Sequence, residues 1–133
     1  MIAFFDTSVH IDLLRGALGV DDLASHAPGP LRMSPVVASE LLRGGRAAMR
    51  ATVERLIERI QTIEPPSWRA AFLAAGRLLP EIFPDHEHVG LANLQNDVLL
   101  ALTARTTGSR LVTRDRHFVE LGRRLRFDCV VVG

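Results

Sequence analysis

Short apolar runs recur along this chain, and most of them lack the polar alternation of a strand that faces water. Strands that are apolar on both faces occur in parallel sheets covered by helices on both sides. The runs that predict strands occupy residues 1–5, 31–33, 62–64, 110–113 and 127–132. We therefore expect an α/β fold built on a parallel sheet.

Helical patterns fill the gaps between these runs, and they occupy residues 7–15, 21–26, 35–42, 46–60, 68–79, 93–107 and 118–124. Thr7 or Ser8 is expected to cap the first helix, and Ser34 the third. Pro80 is expected to break or kink the fifth helix. The polar residues 85–90 are predicted to form a loop.

The length and composition predict one domain spanning residues 1–133, with a core that needs no disulfide. No apolar run approaches the roughly 18 residues of a membrane span. The first residues lack the basic region of a signal peptide and reach an acid at Asp6. We therefore expect a cytoplasmic protein.

Two features of composition exclude some chemistry. The chain has 16 arginines and no lysine, so it lacks a P-loop lysine and a Schiff-base lysine. Arginine suits phosphate contact, although codon usage would give the same count. Cys129 is the single cysteine, which leaves no internal disulfide and no cysteine-based zinc site.

Four acids stand where water is not expected to reach them freely. Asp6 ends an apolar run, and Asp115 follows another. Glu40 shares a helix face with Val36 and Val37, and Asp97 precedes an apolar helical stretch. Converging carboxylates repel one another and raise one another's pKa, a conflict that Mg²⁺ or Mn²⁺ with oxygen ligands removes. The pattern predicts an acidic metal pocket.

Each acid taken alone has a simpler explanation. Asp6 would serve as a helix cap, Asp97 as a charge at a helix start, and Asp115 as a turn residue. Glu40 would pair with Arg43. These alternatives stay open, but together they require four independent coincidences.

Four segments, taken in order, resemble the PIN-domain nucleases, and their spacing is similar to that of VapC-type ribonuclease toxins from toxin–antitoxin pairs. They are Phe4-Phe5-Asp6-Thr7-Ser8, residues 34–41 with Glu40, Asn96-Asp97, and Val112-Thr113-Arg114-Asp115. The resemblance implies a three-layer PIN-like fold with a five-stranded parallel sheet of order 3-2-1-4-5 flanked by helices. The first and fourth strands then meet at a topological switch point, where such sheets bind ligands.

The resemblance also implies a function, a metal-dependent endoribonuclease that cleaves RNA phosphodiester bonds with Mg²⁺ or Mn²⁺. The implied catalytic residues and metal ligands are Asp6, Glu40, Asp97 and Asp115. The residues expected to support them are Thr7, Ser8, Asn96 and Thr113. Helix caps and strand-end hydrogen bonds are the alternative roles of these four. A VapB-type antitoxin and a second copy of the chain are the implied partners.

Basic residues at the rim would let RNA approach an acidic pocket. The candidates are Arg43, Arg46, Arg50, Arg114 and Arg116. A solvated or salt-bridged surface is the alternative for each. His117 stands where many relatives carry another acid, and it has either a structural or surface role or a contact with phosphate. His86 and His88 are interpreted as loop residues.

Three rival functions differ in how the sequence supports them. A phosphotransfer module with Asp6 as nucleophile lacks both a lysine and a second aspartate two residues later. A catalytically silent PIN module that binds RNA or protein would not need all four acids. A PIN nuclease in RNA processing, rather than a toxin, carries the same residues and stays open.

Overall fold

A computed structural model gives the backbone of residues 1–84 and 91–133, and the side chains of these residues except 91–93. Its parallel strands are β1 (Ala3–Phe5), β2 (Leu31–Arg32), β3 (Arg110–Thr113) and β4 (Asp128–Val131). They are ordered β2-β1-β3-β4. The predicted parallel α/β sheet is confirmed.

The sheet has four strands instead of the five expected. The run at residues 62–64 forms one parallel bridge, Met33 to Thr62, on the outer side of β2. Two hydrogen bonds flank it, from Met33 N to Gln61 O (2.9 Å) and from Ile63 N to Met33 O (3.0 Å). The ladder stops there because the next donor in the parallel pattern is Pro35, which has no N–H and begins the following helix. The pairing therefore keeps the expected place without extending into a strand.

The helices follow the predicted order, with shifted ends. They are α1 (Thr7–Leu14), α2 (Val20–Ala24), α3 (Pro35–Gly44), α4 (Arg50–Arg59), α5 (Trp68–Ile82), α6 (Leu91–Thr107) and α7 (His117–Leu125). The stretch predicted as one helix over 46–60 starts with a 3₁₀ turn, Ala47–Met49. Pro80 lies inside α5 and does not end it, since Phe83 N still donates to Leu79 O (2.9 Å) beyond the proline. None of the helices described is long and apolar enough to cross a membrane.

Two apolar clusters cover the two faces of the sheet, which gives three layers. Phe4 and Leu111 belong to the larger cluster, which is built mostly with α3 to α7. The neighbouring residues Phe5 and Val112 point the other way and pack with residues of α1 and α2. The predicted layered arrangement is therefore present, and Asp6 emerges between the layers at the end of β1.

The switch point lies between β1 and β3. The chain leaves β1 toward β2 on one side and returns later as β3 on the other. Phe5 pairs with Val112 across this boundary, and Asp6 N continues the ladder by donating to Val112 O (3.0 Å). The carboxyl ends of both strands therefore open into one crevice, as the resemblance implied.

Candidate active site

Asp6 is a buried carboxylate, 6% exposed, at the end of β1. Its Oδ1 accepts hydrogen bonds from Val9 N (3.2 Å) and from the Ser8 hydroxyl (2.6 Å), and its Oδ2 accepts one from the Thr113 hydroxyl. Asp6 is the N-cap of α1, so the cap expected from Thr7 or Ser8 was wrong. The simpler role predicted for Asp6 is real, and it fixes the carboxylate in the crevice.

Burial and hydrogen bonding oppose each other at Asp6. Burial raises the pKa of Asp6, and the charge of Asp115 raises it further. The hydrogen bonds from Ser8, Thr113 and Val9 lower that pKa, but they do not offset the burial. The carboxylate is therefore held in position at a cost in free energy, which an added positive charge would reduce.

Glu40 reaches the same region from α3. Its Oε1 accepts a hydrogen bond from the Thr7 hydroxyl (3.1 Å), which links it to the residue after Asp6. The alternative role of Glu40 was an ion pair with Arg43, and within the residues described no such ion pair is present. It lines a cleft of about 350 Å³ whose apolar wall includes Ile11 and Leu41.

Asp115 follows β3 and is exposed, so the expectation that water would not reach it freely was wrong. Its backbone N–H donates to Thr113 Oγ1 (3.0 Å), and its Oδ1 accepts from His117 N (2.9 Å). The predicted role as a turn residue is therefore also present. Because Thr113 bonds to both Asp6 and Asp115, one hydroxyl ties two of the acids together.

Asp97 projects from the second turn of α6, which begins at Leu91. Asp97 therefore lies beyond the first helical turn, and the alternative explanation of Asp97 as a charge at a helix start does not apply. Its side chain is one-quarter exposed, and burial raises its pKa to about 7, with further contributions from Asp115, Glu40 and Asp6. The other three predicted acids thus all act on Asp97.

The chain matches a known protein family over most of its length. The sequence profile of the PIN domain matches residues 3–124. The chain belongs to the PIN-domain family. No curated protein sequence gives a significant match.

Several solved structures share this PIN fold. VapBC-1 from nontypeable Haemophilus influenzae is 20% identical, with a TM-score of 0.68 and 98% of each chain covered. VapBC2 from Rickettsia felis, bound to a DNA fragment from its promoter, is 19% identical, with a TM-score of 0.70 and 100% of each chain covered. DNA-bound VapBC from Salmonella typhimurium is 17% identical, with a TM-score of 0.67 and 98% of each chain covered. At these identities the likeness is one of fold.

The four acids of this PIN domain offer the type of ligand that a hard divalent cation prefers, but their side chains do not surround one point. All four offer carboxylate oxygens, the ligands that Mg²⁺ and Mn²⁺ prefer, and a cation would relieve their mutual repulsion. Within the described parts of the chain, no group of three His, Cys, Asp or Glu side chains is already arranged to hold a metal ion. The metal ligands therefore stay a prediction.

His117 lies closer to this site than the sequence indicated. Its Nε2 is 3.8 Å from Asp97 Oδ2, and its ring stacks on Phe83 with centroids 5.0 Å apart. Sequence reasoning assigned it a structural or surface role, or contact with phosphate. The sequence feature that indicated its closeness to the site was its position two residues after Asp115, at the start of α7.

The predictions for Asn96 and for the two loop histidines compare differently with the structure. Asn96 lines a separate cleft of about 290 Å³ beside Trp68 and Phe72, and within the described residues it donates no hydrogen bond to the four acids. Its predicted role in orienting a carboxylate is therefore not seen. His86 and His88, together with the predicted loop at 85–90, lie outside the described residues.

The five predicted rim arginines fall into two groups. Arg114 pairs with Asp12 (2.7 Å), and Arg50 lies 3.7 Å from Glu54. These two therefore adopt the salt-bridged alternative. The exposed group, without an acidic partner among the described residues, comprises Arg43, Arg46 and Arg116.

Proposed function

We propose that this PIN domain is a Mg²⁺- or Mn²⁺-dependent endoribonuclease that acts as the toxin of a VapBC-type toxin–antitoxin pair. The observation that carries the proposal is the gathering of four carboxylates at the carboxyl ends of β1 and β3, where Asp115, Glu40 and Asp6 lie close enough to add to the effect of burial on the pKa of Asp97. A site that gathers mutually repelling carboxylates is suited to a cation. The family match over residues 3–124 supports the nuclease class.

Different residues of the chain would have different roles in such a site. Asp6, Asp97 and Asp115 would hold the cation, with Glu40 bound directly or through a water. A bound divalent cation would supply an activated water and stabilise negative charge on the phosphodiester and its leaving oxygen. The resemblance implies products with a 5′ phosphate and a 3′ hydroxyl.

Hydroxyl groups hold two of the four site carboxylates in place. Thr113 and Ser8 donate to opposite oxygens of Asp6, which restricts rotation of its carboxylate. Thr7 donates to one carboxylate oxygen of Glu40, Oε1 (3.1 Å). Such preorganised hydrogen bonds reduce the reorganisation needed when a cation and an RNA phosphate arrive.

The toxin role and the partners are supported by likeness of fold. The similar structures are VapBC assemblies, two of them with DNA. We extend this to an antitoxin that covers the acidic crevice and places a basic side chain among the carboxylates. A homodimer belongs to the same proposal.

The enzyme claim is tested by incubating purified protein with RNA in Mg²⁺ or Mn²⁺ and mapping the cleaved ends. Cleavage should require the cation and should be lost in Asp6→Asn and Asp97→Asn. Glu58→Gln, at an exposed position of α4, is the matched control and should cleave normally. Undiminished cleavage in either aspartate variant would reject the assigned site.

The toxin claim is tested separately by inducing expression in cells. Growth arrest that depends on Asp97, and that a small neighbouring gene relieves, supports a toxin. Normal growth of cells that contain active nuclease would instead indicate a role in RNA processing. Protein without cleavage activity in any cation would indicate a binding module.

A further inference from the structure

His117 touches two of the four site acids in two different ways. Its backbone N–H donates to Asp115 Oδ1 (2.9 Å), a contact that any residue except proline could make. Its ring Nε2 faces Asp97 Oδ2 at 3.8 Å, a contact that requires the side chain. One residue therefore lies between an acid on α6 and an acid after β3.

The Nε2 atom of His117 is buried and has no hydrogen-bond partner among the described residues. A buried polar atom without a partner is unfavourable and calls for an explanation. The separation from Asp97 Oδ2 exceeds a hydrogen bond, but rotation of the Asp97 side chain would shorten it. The unpaired atom and the carboxylate are thus complementary neighbours.

Aromatic packing fixes the direction of the imidazole. The ring of Phe83 stacks on it at 25°, with centroids 5.0 Å apart, and the buried Phe118 meets its edge at 6.4 Å. These contacts need a flat ring but no nitrogen. A phenylalanine would satisfy the packing, so the nitrogen beside Asp97 is not explained by packing.

We propose that His117 is a positioning residue, whose Nε2–H donates to Asp97 Oδ2 and holds that carboxylate in the orientation that binds the cation. The inference rests on the cation of the proposed function. Carboxylates that bind metals commonly accept such a hydrogen bond from a neighbouring group, and removing it typically weakens metal binding by about 10- to 100-fold.

The test measures Mn²⁺ affinity by electron paramagnetic resonance, alongside thermal unfolding without cation. His117→Phe keeps the ring and removes the donor, and it should bind Mn²⁺ at least about tenfold more weakly. His117→Gln and His117→Asn form a matched pair with the same amide. Only the glutamine amide extends to the position of Nε2, so only His117→Gln should retain most of the affinity. All three should keep the KM for RNA.

Each outcome decides the point. Equal Mn²⁺ affinity in wild type and His117→Phe, or equal weakening in the glutamine and asparagine variants, would overturn the positioning role. If the phenylalanine variant does not fold, the comparison of glutamine with asparagine decides. A wild type that binds no Mn²⁺ overturns this inference and the metal site together. A wild type whose Mn²⁺ affinity depends on His117 but which does not cleave RNA overturns only the proposed function.

Discussion

The hydroxyl of Thr113 donates a hydrogen bond to Oδ2 of Asp6, although 107 residues separate the two in sequence. The contact follows from the register of β1 and β3, in which Phe5 lies opposite Val112. The residues that follow this pair, Asp6 and Thr113, therefore lie side by side at the carboxyl edge of the sheet. Because Thr113 also accepts from Asp115 N (3.0 Å), it joins the two strand ends that carry site acids.

Replacing Thr113 with valine should destabilise the protein by about 1–3 kcal/mol, because a buried carboxylate oxygen and the Asp115 N–H would each be left without a partner. Urea unfolding measures the change. Thr103→Val is the matched control: Thr103 is equally buried, but its hydroxyl donates to Leu99 O (2.8 Å) within α6, which keeps its helical hydrogen bond. Equal destabilisation of the two variants would contradict the special role of Thr113.

Asp97→Asn should stabilise the cation-free protein above neutral pH. The pKa of Asp97 is raised to about 7, and a carboxyl raised on folding favours the folded state only below its unfolded pKa. That contribution is lost as the pH rises from about 4 to about 7, and it leaves a penalty of up to about 4 kcal/mol. Urea unfolding in a chelator at about pH 8 should show the variant as more stable, with the difference vanishing near pH 4. A less stable variant at the higher pH would contradict the free-energy cost of the charged, largely buried Asp97 carboxylate.

A divalent cation should stabilise the wild type, because its positive charge would offset both the burial of the Asp97 charge and the repulsion from the other three acids. Saturating Mn²⁺ at about 100 times its Kd contributes about 2.7 kcal/mol, which thermal unfolding at constant ionic strength would detect. Asp97→Asn should show little of this increase, whereas Glu58→Gln, at an exposed position of α4, should show all of it. An equal shift in all three proteins would mean that the cation acts elsewhere.

His10 should make the fold sensitive to acid. Burial lowers the pKa of His10 to about 4, so its contribution to stability is present above the unfolded pKa near 6.5 and is lost as the pH falls toward 4. The loss is on the order of 3 kcal/mol. Asp97 gives the opposite slope over part of this range, so the measurement is the difference between wild type and His10→Leu in urea unfolding. If the free energy of unfolding changes with pH in the same way in both proteins, the predicted role of His10 is wrong.

Arg43→Ala combined with Arg46→Ala should weaken RNA binding without slowing turnover. Both side chains are exposed near the end of α3. Each phosphate that is no longer bound by an arginine should reduce the salt dependence of binding by about one unit of slope. Arg55→Ala with Arg59→Ala, exposed on α4, removes the same charge elsewhere. Equally weakened binding in this control would indicate a general charge effect.

The sequence predicted the parallel sheet, the order of its elements and the four acids that act on one another. It missed that residues 62–64 form only a bridge, because Pro35 has no N–H to donate the next hydrogen bond of the ladder. It expected Thr7 or Ser8 to cap α1 and offered Asp6 as a cap only in an alternative explanation, although Asp6 fills that role. Both errors concern single hydrogen bonds, which residue patterns do not resolve.

The sequence by itself determined which groups are available: an acid at the end of a buried strand, acids on two helices and one more after β3. Apolar periodicity is local, and it is enough to place each acid on its element. Only the tertiary structure decided that Thr113 bonds to Asp6, that Asp97 has a pKa of about 7 and that His117 faces it. These depend on strand register, side-chain rotamers and burial, which arise when distant segments pack together and exclude water.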